Sequence, residues 1–163
     1  MAFSAQYRRR RQGKTNYHKR LKMLQSGKTR LVIRRSNTGM VCQFVSYEAT
    51  GDKVLAAATA KDVKAAGLET TSGKSLPASY MTGYIAGVRA KKAGVSEAIV
   101  DIGLQTATKG NRLFAAVKGA LDAGIQIPVS DDVLPAQDRI EGKHIAGHRN
   151  VTINIAAAKQ KVK

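Results

Sequence analysis

The run Thr29-Arg30-Leu31-Val32-Ile33-Arg34-Arg35-Ser36-Asn37-Thr38-Gly39-Met40-Val41-Cys42-Gln43-Phe44-Val45-Ser46-Tyr47 decides the fold. Its two halves are rich in β-branched and other large apolar residues. Ser36-Asn37-Thr38-Gly39 between them is turn-forming, so the run reads as an antiparallel hairpin. Side chains alternate across a strand, which puts Leu31 and Ile33 on one face and Arg30, Val32 and Arg34 on the other. One side of the sheet is thereby apolar and the opposite side partly basic.

Working outward toward the C-terminus, Thr50-Gly51-Asp52 marks a second turn, and residues 53–59 read as a third strand. Residues 60–66 are predicted as a short helix stopped by Gly67. Ser75 is placed to cap a longer helix with Pro77 in its first turn. Along it Tyr80, Met81, Tyr84, Ile85 and Val88 recur at helical spacing. Gly83 and Gly87, one turn apart, weaken that helix by propensity. Close packing against the sheet is the expected reason for them. Residues 98–104 form a compact apolar run that reads as a buried strand. Residues 111–123 read as an amphipathic helix with Leu113, Phe114, Val117, Ala120 and Leu121 toward the core, stopped by Gly124. Ile125 and Ile127 suggest one more short strand. The fold class is therefore α/β: a mixed sheet of three antiparallel strands plus a parallel strand, with helices packed on it. We expect a basic extended arm over residues 1–28, a globular domain over 29–136 and a partly helical tail over 137–163.

Outward toward the N-terminus, the first 47 residues contain no acidic residue and 12 of the chain's 28 Lys and Arg. The other 16 face all 11 Asp and Glu, so only +5 of the formal +17 belongs to the rest of the chain. A field so lopsided repels itself unless a polyanion covers it. Nucleic acid is the natural counter-charge, because phosphate contacts release condensed counterions. Tyr7 and Tyr17, interleaved with the cations, either stack on unpaired bases or pack against the body. The arm has little apolar surface with which to offset its ordering entropy, so disorder is expected for the free protein. Lys109-Gly110-Asn111-Arg112, at a helix start, reads either as a phosphate site or as an ordinary capped loop.

Other classes fare worse. The single cysteine, Cys42, excludes an internal disulfide framework and fits a reducing compartment. No run approaches the roughly 18 apolar residues of a membrane span, and the charged start lacks the apolar segment of a secretory signal. Asn150-Val151-Thr152 matches a glycosylation acceptor by chance. Between Gly67 and Gly73 lie five residues rather than the four of a nucleotide-binding loop, and the preceding segment reads as helix. His144 and His148 lack a third metal ligand. A ribonuclease-H-like nuclease needs clustered carboxylates for its metal ions. Here Glu48 sits at a strand edge, Asp101 stands without an evident partner, and Asp131 and Asp132 share one loop. No cofactor, small-molecule substrate or catalytic residue is expected.

Longer motifs then carry a resemblance. Gly13-Lys14-Thr15-Asn16-Tyr17, Arg20-Leu21 and Ser26-Gly27-Lys28-Thr29-Arg30-Leu31-Val32-Ile33-Arg34-Arg35-Ser36-Asn37 resemble the start of the L-eighteen family of large-subunit ribosomal proteins, in its archaeal form. Ala78-Ser79-Tyr80-Met81-Thr82-Gly83, Asp101-Ile102-Gly103-Leu104 and residues 110–124 extend the resemblance, and Lys143-His144-Ile145-Ala146-Gly147 resembles the tail of the family's eukaryotic relatives, called L-five, so that it spans about residues 7–148. It implies a non-enzymatic protein that binds 5S rRNA and anchors it to large-subunit rRNA in the central protuberance, beside neighbouring ribosomal proteins. The RNA contacts it implies are Arg8, Arg9, Arg10, Arg11, Lys14, Asn16, Tyr17, Arg20, Lys28, Arg30, Arg34, Arg35 and Asn37. Gly110, Asn111 and Arg112 are weaker candidates. A non-specific basic chaperone is the remaining alternative, and the well-patterned core speaks against it.

Overall fold

The hairpin forms as expected. In the computed structural model, which describes residues 4–68, 72–149 (the side chains of 148 and 149 aside) and 153–162, β1 (Arg30–Arg35) pairs antiparallel with β2 (Met40–Ser46). The turn is closed by the Ser36 amide donating to the Gly39 carbonyl at 2.8 Å. Gly39 is required by crowding: a Cβ there would stand 2.6 Å from the Ala60 methyl. β3 (Lys53–Thr59) pairs antiparallel with β2, and β4 (Ile99–Asp101) pairs parallel with β1, giving the order β3-β2-β1-β4.

β4 is shorter than the apolar run suggested, because Gly103 adopts a left-handed conformation (φ 65°) and turns the chain away. The expected strand at Ile125 and Ile127 reduces to one parallel bridge between Glu97 and Gln126. The parts of the 67–73 loop at 69–71 and the Asn150-Val151-Thr152 triplet lie outside the described residues, as does the side chain of His148.

Between β3 and β4 run α3 (Ala60–Ala65) and α4 (Leu76–Lys92), and α5 (Arg112–Asp122) follows β4. The Ser75 hydroxyl accepts from the Ala78 amide at the start of α4, with Pro77 in the first turn. Every residue of α4 from Leu76 to Gly87 is buried, as befits a helix covered on all sides. The sheet takes one side of it through Leu31, Ile33, Cys42, Phe44, Ala56 and Ala58. α5 takes another, and there the glycines matter. A Cβ on Gly83 would lie 1.9 Å from the Ala116 carbonyl oxygen, and one on Gly119 would lie 2.1 Å from that of Tyr80. Gly83 and Gly87 therefore serve a helix–helix crossing, not the helix–sheet contact expected of them.

The C-terminal segment adds α6 (Gln137–Glu141), α7 (Lys143–Arg149) and α8 (Ile155–Gln160). Ile140, Ile155 and Ala158 join the main core. The Lys159 ammonium lies over the Tyr80 and Tyr84 rings, 4.9 and 5.2 Å from their centroids, an attraction of cation and π face. The helices α4 and α5 leave the opposite face of the sheet uncovered. That face carries Val32, Val41, Gln43 and Thr59, all half-buried, together with the alternating arginines of β1.

Candidate nucleic-acid interface

The N-terminal segment carries two short helices, α1 over Arg8–Arg11 and α2 over Tyr17–Leu24, the second holding the apolar patch Leu21, Met23 and Leu24. Asn16 caps α2, its side-chain oxygen accepting from the Lys19 amide at 3.1 Å. The Arg9 Nε donates to the Thr15 hydroxyl at 2.9 Å. Tyr7 and Tyr17 lie against each other with ring centroids 5.1 Å apart, so neither ring packs on the apolar core, and Tyr7 stays largely exposed.

Side chains of the segment reach the body at three places. Arg20 on α2 reaches both oxygens of Asp52 at 2.8 and 2.9 Å. The Lys19 ammonium donates to the Gly103 carbonyl at 3.3 Å. Lys28 meets Glu97 at 2.7 Å. These contacts draw on residues 32 to 84 positions away.

The same long-range partners surround Arg30. It is 2% exposed and lies between two carboxylates, Asp52 at 2.7 Å and Asp101 at 3.3 Å. Arg30 is thus a buried ion-pair residue. Among the described residues its Nε is buried with no hydrogen-bond partner, and Asp52 and Asp101 are the carboxylates within ion-pair distance. Asp101 is likewise far from partnerless. It also accepts from the Gly103 amide at 2.8 Å and from Arg34 at 3.1 Å, while Arg34 donates to the Asp101 carbonyl. The register explains this: Asp101 lies opposite Val32, between the two arginines that share its face. Partial burial pushes the Asp52 carboxyl up, but hydrogen bonds and charge from Arg30 and Arg20 outweigh it and hold the group below the usual aspartate range.

Four of the twelve early cations are therefore matched by acids from later in the chain. Arg8, Arg9, Arg10, Arg11, Lys14, Lys19, Lys22 and Arg35 have no carboxylate within ion-pair distance among the described residues. Arg35 and Asn37 are exposed at the end of the hairpin. At the start of α5, Gly110 turns in the left-handed region (φ 65°). The Asn111 side chain accepts from the Leu113 and Phe114 amides at 2.8 and 3.1 Å. The two amides an anion would use are taken, and Arg112 donates to the Lys74 carbonyl, so this turn has the form of a capped loop. Sequence reasoning missed Asp52, Glu97 and Gly103 as partners of the arm. The one available signal was Asp101, placed by alternation on the outward face of a strand parallel to β1.

The family model described as ribosomal large subunit proteins 60S L5 and 50S L18 matches residues 1–96 and 89–130. A protein named large ribosomal subunit protein uL18 from Korarchaeum cryptofilum is 53% identical over 144 residues, covering 88% of this chain and 73% of its own length. Its namesake from Thermofilum pendens is 49% identical over 152 residues, covering 91% and 77%. That from Haloarcula marismortui is 48% identical over 139 residues, covering 85% and 74%.

Proposed function

The chain belongs to the L-eighteen family of large-subunit ribosomal proteins, a structural and not an enzymatic component of the ribosome, and from that premise we propose that it binds 5S rRNA and helps anchor it to large-subunit rRNA in the central protuberance. The observation that carries this reading is the unmatched charge. Among the described residues, eight cations of the first 35 lack an acidic partner, and three of them, Arg9, Lys14 and Lys19, line one cleft with Arg20 and Arg34. Such a surface is stable when phosphates supply the counter-charge. We propose Arg8, Arg9, Arg10, Arg11, Lys14, Arg35 and Asn37 as primary contacts. Asn16 and Tyr17 act by shaping the arm, while Arg20, Lys28 and Arg34 keep partial access beside their carboxylates. Gly110, Asn111 and Arg112 remain secondary, and Arg30 is removed from the contact set. Neighbouring large-subunit proteins are the proposed partners of the remaining surface.

Filter-binding competition between 5S rRNA and tRNA at matched salt tests the reading. We expect 5S rRNA to win by at least tenfold and affinity to fall steeply with salt. Equal affinity for the two RNAs would reduce the protein to a non-specific polyanion binder.

A further inference from the structure

α2 does not lie flat on the body. Between residues 9–19 of the arm and the turn after β4 a cleft of about 380 Å³ remains open. Five cations line it: Arg9, Lys14, Lys19, Arg20 and Arg34, against two carboxylates, Asp52 and Asp101. Those carboxylates are not available to neutralise the set, because each already serves two arginines, one of them the buried Arg30. Arg9, Lys14 and Lys19 thus converge on one concavity with no acid of their own. The Thr15 hydroxyl, which accepts from Arg9, keeps its own proton to donate, and the Asn16 carboxamide keeps its NH2.

We propose that this arm–sheet cleft is a discrete phosphate-binding site, taking one backbone phosphate of an RNA strand; the choice of RNA rests on the rRNA-binding reading above. Two ammonium groups and a guanidinium around one cavity suit a compact multi-oxygen anion better than a single carboxylate. The site shares Arg9 with the exposed row Arg8–Arg11 but is walled on both sides, by the arm and by the turn after β4. Its occupant bridges arm and sheet, so binding there fixes the arm's orientation as well as adding charge contacts. In the free protein the Lys19 ammonium and the Gly103 carbonyl hold the two walls together.

Amide NMR shifts of the full chain, titrated with inorganic phosphate against a sodium chloride control of equal ionic strength, test this. A saturable shift at Lys19 and Gly103 is expected, absent with chloride. Lys14→Gln together with Lys19→Gln should weaken it at least tenfold, and Lys64→Ala on the exposed side of α3 should leave it unchanged. Circular dichroism establishes that each variant is folded, and single Lys14→Gln, which removes no hydrogen bond, serves if the double variant is not. A short single-stranded RNA should displace the phosphate. A linear shift matching chloride, or equal binding by the Lys14 and Lys64 variants, would overturn the site. RNA bound without displacing phosphate would overturn its assignment to the RNA backbone. Both outcomes are separable from the 5S-against-tRNA competition, which reads selectivity whether or not this cleft is filled.

Discussion

Replacing Asp101 by Asn is the sharpest perturbation the charge network offers. The side chains are nearly isosteric, so packing is preserved and the Gly103 amide keeps an acceptor. What is lost is one of two negative charges beside Arg30, whose side chain is 2% exposed, and Asp101 itself is 7% exposed. Removing one partner of a buried ion pair costs about 3–5 kcal/mol, because it strands the other charge. Asp52 stays in place at 2.7 Å, which puts the expected loss at the lower end, about 3 kcal/mol. For a chain of this size each kcal/mol shifts Tm by about 2–4 °C, so Tm should drop by about 6–12 °C. Urea unfolding followed by circular dichroism at pH 7 measures the first quantity and calorimetry the second. Adding Arg30→Met to the variant should recover part of the loss, since no stranded charge then remains. Asp138→Asn, whose partner Lys143 sits on an exposed pair, should have no measurable effect. A loss below about 1 kcal/mol for Asp101→Asn, or no recovery with Arg30→Met, would refute the claim that Arg30 is a buried charge held by these carboxylates.

Gly83→Ala drives a Cβ into the Ala116 carbonyl at 1.9 Å, where backbone cannot give way; we expect at least about 3 kcal/mol of destabilisation, at or beyond the upper end of overpacking effects, or insoluble protein, whereas Gly147→Ala, with open space around it, should be neutral in the same urea titration. Deleting residues 1–28 removes no residue of the main core, so the truncated chain should keep its circular dichroism spectrum while its RNA affinity and salt slope both fall; an unfolded truncation would make the arm part of the folding unit. Asp52 is held below its ordinary value of 3.8, so its contribution is present above that pH and is lost as pH falls through the lower folded value. Asp52→Asn should accordingly flatten the loss of stability below about pH 4, and an unchanged acid limb in a pH series of urea midpoints would count against the Arg20–Asp52–Arg30 arrangement.

Much of the architecture was legible because it rests on short-range rules. The alternation through Leu31 and Ile33, the Ser75 cap and the helical spacing of Tyr80, Met81 and Tyr84 each express local geometry, and the structure has all of them. Element ends were less legible: β4 stops at Asp101 because Gly103 takes a positive φ, a choice that an apolar run does not encode. The role of Gly83 was read as close packing, yet its partner was misassigned, since a glycine announces a close approach without naming what approaches.

By itself the sequence determined the hairpin, the mixed sheet with its covering helices, the one-ended charge and, through its longer motifs, the family. These follow from residue identity, local periodicity and charge counting, none of which needs a third dimension. Only the tertiary structure decided which cations are free. Parallel pairing sets Asp101 opposite Val32 and between Arg30 and Arg34, and the β2–β3 turn brings Asp52 to Arg20 and Arg30. Opposite charges interact through distance in space, not along the chain, and partners 22 to 71 residues apart meet only once the sheet has formed.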